Sequence, residues 1–319
     1  MREIGGYFEF EKSHRNYLHQ GAIALNCGRN CLAYLLKSRK IEVIALPYFL
    51  CESVEQVCEK AGVAIRHYHI NPDFTPAIDQ LEDREWLYVV NYYGQLSVGQ
   101  LQQLCRTYRR VIVDNAQAYF TMPLPGVDTL YTCRKFFGVA DGAFLYTDSP
   151  LRQELEQDES FDRMDFVLGR FERKASEFLG EAQQNNRHFA SAPVRKISPL
   201  TENLLRLIDY EDVKEIRTRN FHFLMERLGG ENQLSVNLPE GPFMYPLLLG
   251  NAEGVRSSLA AEQIYIPVLW PNVCNTMEKQ SLEYRYAADL LPIPCDQRYD
   301  LEDMERICEA LNRVRGRRL

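Results

Sequence analysis

The sequence lacks the fingerprints of the commonest nucleotide and metal sites. Its 319 residues contain no Gly-x-Gly-x-x-Gly and no Gly-x-x-x-x-Gly-Lys-Ser/Thr segment, so dinucleotide and P-loop sites lose their main support. Its nine cysteines form no Cys-x-x-Cys pair of the zinc-ribbon or thioredoxin kind. His67 and His69 supply two alternate histidines with no third ligand nearby, and we therefore expect no metal site.

The chain also lacks an excess of positive charge and a long apolar run. The formal net charge of -7 argues against nonspecific binding to nucleic acid, and we interpret the basic cluster Arg313, Arg315, Arg317 and Arg318 as a solvated tail. No apolar run approaches the ~20 residues that a membrane span needs, and Met1–Gly6 has no apolar signal core. Unpaired cysteines fit a reducing compartment. We therefore expect a cytoplasmic protein without membrane or nucleic-acid contacts.

Apolar runs that alternate with helical patterns predict βαβ units. The helices between the first strands begin near Gly28, Ser53 and Ser97, and the last two positions open Ser-x-x-Gln capping boxes. Such alternation indicates an α/β protein with a mostly parallel central sheet flanked by helices. The predicted strands cover residues 22–26, 41–46, 63–70, 87–91, 111–113 and 142–147.

A basic link between Pro193 and Pro199 is the best candidate for a domain boundary. It follows a charged helical segment over residues 151–190, and a helical pattern then runs from Thr201 to about Leu228. We predict a large domain over residues 1–195 and a smaller C-terminal α/β domain over 196–319. The latter has expected strands near 243–249 and 264–268 and helices near 254–261, 282–290 and 301–314.

A carboxylate and an amine are expected to meet at one edge of the sheet. The β-branched strand 111–113 runs straight into Asp114, and Lys135 follows in a setting of aromatic and small residues. Ligands bind at the carboxyl ends of parallel strands. An acid and an amine there suggest pyridoxal phosphate (PLP), because an amine bonds its aldehyde and a carboxylate keeps its pyridine nitrogen protonated.

Two further segments match the remaining needs of this cofactor. The turn from strand to helix at Gly28, with Arg29 and Asn30 beside it, offers a phosphate the unpartnered N–H groups and positive dipole of a helix start. Tyr48 and Phe49 lie in the loop after the next strand, where they either stack on the ring or pack beneath the loop. Each feature alone is weak, and it is their order and spacing that favour PLP.

The chain resembles the DegT/DnrJ/StrS sugar aminotransferases, PLP enzymes of the aspartate aminotransferase type (fold type I). Asp114-Asn115-Ala116-Gln117 is similar to the family's Asp-Ala-Ala-Gln, which implies that Asp114 pairs with the pyridine nitrogen and Gln117 contacts the ring hydroxyl. The segment 135–143 is similar to the family's lysine segment with its Gly-Asp-Gly-Gly ending. This resemblance implies that Lys135 forms the Schiff base.

Two other segments support the resemblance. Residues 27–32 stand where the family has Ser-Gly-Thr-Ala-Ala-Leu, which implies phosphate contacts from Arg29 and Asn30. Asn91-Tyr92-Tyr93-Gly94 resembles the family's His-x-Tyr-Gly turn, and we count Asn91 among the cofactor-binding candidates.

The chain departs from the family at the phosphate and at the substrate. Leu130 stands where the family places a phosphate-binding serine, and Thr129 and Thr132 are the possible substitutes, with Thr132 favoured. Segment 192–198 is the nearest match to the one through which the family's partner subunit reaches the site. It lacks the asparagine, although Asn185 and Asn186 lie just upstream.

The resemblance implies a homodimeric aminotransferase, with its site near the subunit interface, that moves an amino group from an amino acid to a keto sugar, which is possibly nucleotide-linked. One alternative is a PLP enzyme of another reaction type; the family's dehydratases replace the lysine with histidine, and Lys135 argues against them. The other alternative is a noncatalytic relative that serves as a binding or regulatory protein.

Overall fold

The structure is a computed structural model that describes residues 4–316. Met1–Glu3 of the N-terminus considered above, and Arg317 and Arg318 of the predicted basic tail, lie outside the described residues. Within the described part, no helix is both long enough and apolar enough to cross a bilayer.

An eight-stranded sheet in the order β1-β8-β7-β6-β5-β2-β3-β4 forms the centre of the first half of the chain. Strands β3, β2, β5, β6 and β7 are parallel neighbours, and β1, β8 and β4 are antiparallel. This arrangement confirms the mostly parallel sheet. The strands are β1 (Ile23–Leu25), β2 (Val43–Pro47), β3 (Ala64–Ile70), β4 (Pro76–Ala77), β5 (Trp86–Val90), β6 (Val111–Asp114), β7 (Asp128–Thr132) and β8 (Ala143–Tyr146).

Helices α1 (Gly28–Ser38), α2 (Glu52–Lys60) and α3 (Val98–Thr107) connect the strands as the sequence predicts. The capping box of α3 is confirmed, because Ser97 accepts from the Gln100 N–H and the Gln100 side chain returns to Ser97. The capping box predicted for α2 is wrong: the N-cap is Cys51, which makes no side-chain cap bond. Helix α2 therefore begins two residues earlier than the serine signal indicated.

Strand β7 was not predicted, and it places Lys135 after the strand next to β6 rather than in the connection leaving β6. The continuous helix expected from Thr201 is two helices, α6 (Pro199–Leu205) and α7 (Tyr210–Leu228), because Asp209 caps a new start. No strand forms at 264–268. Pro267 has no N–H to contribute to a ladder there.

The second half of the chain builds a smaller two-stranded antiparallel sheet of β9 (Met244–Leu248) and β10 (Leu290–Pro294). Most of its buried apolar side chains form a second core, although Leu248 of β9 and Leu290 of β10 belong to the core of the large sheet. The large core also includes Ile197 and Leu205, and the boundary after residue 195 stays a prediction. The remaining helices are α4 (Asp165–Glu172), α5 (Leu179–His188), α8 (Ala252–Ala261), α9 (Pro271–Thr276), α10 (Leu282–Asp289) and α11 (Leu301–Gly316).

Candidate active site

Asp114 ends β6, and two donors fix its buried carboxylate. Oδ1 accepts a 2.7 Å hydrogen bond from the backbone N–H of Ala116, and Oδ2 accepts a 2.8 Å bond from the hydroxyl of Tyr88. Burial raises the pKa of Asp114, while the Lys135 ammonium and both donors pull it back down. The carboxylate is therefore oriented at the carboxyl edge of the sheet, where ligands of α/β proteins bind.

Lys135 stands in a cavity of about 580 Å³ that Asp114 also lines. Its surface is accessible from this cavity, although protein surrounds the side chain, and Nζ lies 5.5 Å from the ring centroid of Phe243. The protein surroundings lower the pKa of Lys135, and the nearby Asp114 and Cys51 oppose that shift. A lowered pKa leaves more of the amine in its nucleophilic form.

The structure brings six of the predicted site residues to this cavity, namely Gly28, Arg29, Asp114, Gln117, Thr132 and Lys135. Gln117 is held in place by the backbone N–H of Tyr93, which donates to its Oε1 at 2.8 Å. A Cβ at Gly28 would lie 3.8 Å from the Cβ of Thr132. The start of α1 and the end of β7 are therefore adjacent.

Tyr48 and Phe49 do not line the cavity, and we withdraw them as ring-stacking candidates. Tyr48 packs on the imidazoles of His67 and His69, with centroids 5.0 and 4.8 Å away. Phe49 is buried edge-to-face against Trp270 at 4.6 Å. Of the two interpretations left open above, packing beneath the loop is the one that the structure supports.

Asn30 and Asn91 also lie outside the cavity lining, and we withdraw both as cofactor contacts. The side-chain amide of Asn30 donates to Asn26 Oδ1 and to the carbonyl of Pro193, both at 2.8 Å. Asn91 donates to Asn115 Oδ1 at 3.1 Å and accepts from the N–H of Leu96 at 3.0 Å. Their polar atoms join loops together rather than facing a ligand.

One end of the cavity is rich in anion-binding groups. The N-cap of α1, Cys27, makes no side-chain cap bond, and the first turn carries no acidic residue. Arg29 donates to the backbone carbonyl of Asn186 at 3.3 Å, and Arg134 donates to the Asn186 side-chain oxygen. The Nε of Arg134 is buried with no partner in the described part of the chain. Burial lowers the pKa of Arg134 to about 10.

Arg134 was not among the predicted site residues, since it belongs to no motif. The direction of its side chain depends on the turn after β7, which was itself not predicted. A buried guanidinium nitrogen without a partner is costly, and this cost marks the residue only once the fold is known.

Helix α5 of the same chain forms one wall of the cavity. Ala182, Asn186 and Phe189 line it from this segment. The neighbouring Asn185 donates to the carbonyl of Ala140 at 2.8 Å, which fastens α5 to the lysine segment. Of the two asparagines noted upstream of the segment 192–198, Asn186 lines the cavity of its own chain and Asn185 bonds to the lysine segment beside it.

Two buried charged residues hold the lysine segment. Asp141 accepts bonds of 2.7 Å from both the N–H and the hydroxyl of Ser198, and another from the hydroxyl of Thr201. Arg217, from α7, donates to the carbonyl of Phe136 at 3.2 Å and to that of Pro242 at 2.8 Å. The residues beside Lys135 are therefore anchored from both halves of the chain.

The two alternate histidines have other partners. His67 Nε2 lies 2.9 Å from Glu55 Oε1, and His69 Nδ1 lies 3.1 Å from Glu283 Oε1. In residues 4–316, no group of three or more His, Cys, Asp or Glu side chains is arranged to hold a metal ion.

Solved structures of aminotransferases resemble most of the chain. A DegT/DnrJ/EryC1/StrS aminotransferase from Brucella abortus is 16% identical with a TM-score of 0.61, over 91% of this chain and 85% of that one. A protein described as a sugar aminotransferase from Streptococcus pneumoniae, in its PLP form, is 14% identical with a TM-score of 0.66, over 93% and 88%. The sugar aminotransferase CalS13 from Micromonospora echinospora is 18% identical with a TM-score of 0.61, over 91% and 86%.

The chain shares the fold of these solved structures. This confirms the fold class expected from the sequence. No protein-family model matches the chain, and a search of curated proteins found no match. The likeness is therefore one of structure at low sequence identity.

Within this shared fold, the cavity combines three chemical functions. A fixed carboxylate lies at the end of β6, an amine of lowered pKa follows β7, and a cationic end lies at the start of α1. Such a set can hold a phosphorylated aromatic aldehyde and move a proton next to it.

Proposed function

We propose that this protein is a PLP-dependent aminotransferase that transfers an amino group from an amino acid to a keto sugar, either free or linked to a nucleotide. The observation that carries the proposal is the meeting of Asp114 and Lys135 in one cavity, with the carboxylate held by Tyr88 and Ala116. The fold that the chain shares with sugar aminotransferases supports the acceptor class.

The residues present fit the cofactor. A cavity of about 580 Å³ is within the usual size range of small-molecule sites. The partnerless Nε of Arg134 and the acid-free start of α1 suit a phosphate at one end. We assign phosphate contacts to Gly28, Arg29 and Thr132, the ring hydroxyl to Gln117, the pyridine nitrogen to Asp114 and the aldehyde to Lys135.

When bound, PLP supplies a ring that accepts electrons from the substrate carbon. Asp114 holds the proton at the pyridine nitrogen, and Tyr88 and Ala116 keep the carboxylate oriented for this role. Lys135 supplies the amine for the aldehyde, and its Nζ then accepts and returns a proton. The lowered pKa of Lys135 favours the neutral amine that both tasks require.

We also propose a homodimer, with the site near the subunit interface. Exposed apolar surface supports the homodimer, because the large side chains of Tyr7, Phe8 and Phe171 are each more than 90% exposed in a single copy. The division into domains at 195/196 is part of the same proposal, supported by a second apolar core whose buried members all lie in the second half of the chain. Nine free cysteines support a reducing cytoplasm.

Absorption spectroscopy of the purified protein tests the proposal. We expect a visible band from protein-bound PLP that Lys135→Ala abolishes and that Lys279→Ala, at an exposed lysine, retains. An amino-acid donor should bleach the band, and a keto sugar should restore it. An unchanged band in Lys135→Ala would contradict the assignment of the lysine. A band that no amino acid bleaches would favour a noncatalytic binding protein.

A further inference from the structure

We propose that Arg134 is a main phosphate-binding residue of this site and takes the role that a serine at position 130 would otherwise fill. The inference rests on the proposed function, because it concerns the phosphate of the same cofactor. It goes beyond that function by assigning a residue that no motif marks.

Leu130 cannot donate a hydrogen bond to a phosphate. It is a buried aliphatic side chain in the middle of β7, and it lines the cavity next to Asp114, its register partner on β6. An aliphatic group offers a phosphate no hydrogen bond. A phosphate dianion at the cationic end of the cavity, beside the start of α1, therefore needs another donor.

Arg134 is positioned to supply that donor. Its side chain lines the cavity together with Gly28, Arg29 and Thr132. Its guanidinium carbon lies 4.8 Å above the ring centroid of Phe189, and one terminal nitrogen donates to the side chain of Asn186. These two contacts fix the plane of the guanidinium, which limits the entropy lost when it binds an anion.

Arg134 forms no ion pair within the described residues, because the nearby Asp141 accepts its hydrogen bonds from Ser198 and Thr201 instead. Within the described residues, its hydrogen bonding goes to Asn186 alone, and its Nε is buried and partnerless. The neighbouring Arg29 likewise donates only to Asn186. Two adjacent, partly buried guanidiniums that share one neutral acceptor form a site that favours an anion.

Arg163 offers a matched comparison. Its guanidinium carbon lies 5.2 Å from the same Phe189 ring, yet it is absent from the cavity lining and forms an ion pair with Asp158. It therefore contributes the same charge at nearly the same place, and Asp158 balances that charge.

The test compares PLP with pyridoxal, which lacks the phosphate, in binding titrations followed by absorbance. In Arg134→Gln we expect PLP affinity to fall by roughly ten- to a hundredfold, the loss of one charge-assisted hydrogen bond. Pyridoxal affinity should change less than about threefold, so the ratio of the two affinities falls. Arg163→Gln should keep the wild-type ratio. An unchanged ratio in Arg134→Gln, or an equal fall in Arg163→Gln, overturns the inference.

A measurement on the unmutated protein covers the case in which Arg134→Gln does not fold. Phenylglyoxal modifies accessible arginines, and mass spectrometry locates the modified ones. We expect PLP and inorganic phosphate to protect Arg134 while pyridoxal does not, and modification of Arg134 at an equal rate with and without bound PLP contradicts the inference. Failure of the wild-type protein to bind PLP at all would instead overturn the proposed function.

Discussion

The hydroxyl of Tyr88 on β5 donates a 2.8 Å hydrogen bond to Oδ2 of Asp114 at the end of the neighbouring strand β6. Both groups are buried, and the bond lowers the pKa of a carboxyl that burial raises. Because hydrogen bonding to the ionised form favours it, the proton balance of Asp114 depends on this phenol.

Tyr88→Phe should therefore raise the pKa of Asp114 further. The acid side of the pH profile of kcat/KM should move to higher pH, and activity near pH 7 should fall by roughly tenfold, the worth of one bond to a charged group. Tyr68→Phe is the matched control, since the hydroxyl of Tyr68 donates to the backbone carbonyl of Tyr88 rather than to the carboxylate. Identical pH profiles for the two variants would contradict the prediction.

Asn186→Asp should weaken PLP binding by about tenfold. The new carboxylate would neutralise the guanidinium of Arg134, which now donates to the Asn186 side chain, and leave less positive charge for a phosphate. Fluorescence titration with PLP measures the effect. Gln184→Glu adds the same charge at an exposed position on the same helix and should bind PLP like the wild type. Equal weakening in both would point to long-range charge alone.

Arg217→Met should destabilise the protein by about 3 kcal/mol. It removes the donor from the carbonyl of Pro242 and from Oε1 of Gln297, while the carbonyl of Phe136 keeps its bond from the Gln297 amide. Buried unsatisfied acceptors cost about 1–3 kcal/mol each. Urea unfolding gives the difference. Arg219→Met, exposed on the same helix, should change stability by less than about 0.5 kcal/mol. A small effect at Arg217 would mean that the lysine segment is held without it.

His19 makes stability depend on pH. Burial lowers its pKa to about 4, only partly opposed by its bond to the carbonyl of Tyr119, whereas an unfolded histidine titrates near ~6.5. Because the folded pKa is the lower one, this contribution is complete above about pH 6.5 and is lost as the pH falls to 4, up to about 3 kcal/mol.

The unfolding free energy of His19→Gln should therefore decline less between about pH 6.5 and 4 than that of the wild type. His222→Gln, at a half-exposed histidine on α7, should decline like the wild type. If both variants follow the wild-type slope, His19 does not titrate as expected.

The sequence was sufficient to predict where Asp114 and the start of α1 lie because local patterns decide both positions. The run Val111-Ile112-Val113 is buried throughout, and a strand of that kind leaves Asp114 at the sheet edge. The glycine after β1 likewise predicted the start of α1. Whether Asp114 and Lys135 act as assigned is still a prediction.

Residues whose direction depends on distant packing could not be assigned. Nothing local indicates that Tyr48 turns toward the histidines of β3 rather than the cavity. Arg217 meets the lysine segment about eighty positions away in the chain, and the turn after β7 alone aims Arg134 at α5. Pattern and propensity carry no information at such separations.

The wall that α5 contributes to its own cavity has a genetic consequence. If two copies pair, defects at Lys135 and at Asn186 fall in the same site of the same chain. Mixing one copy that carries the first defect with one that carries the second then leaves no site undamaged, so the two alleles fail to complement each other. If the partner subunit supplied α5 instead, every mixed pair would contain one site in which both Lys135 and Asn186 are intact.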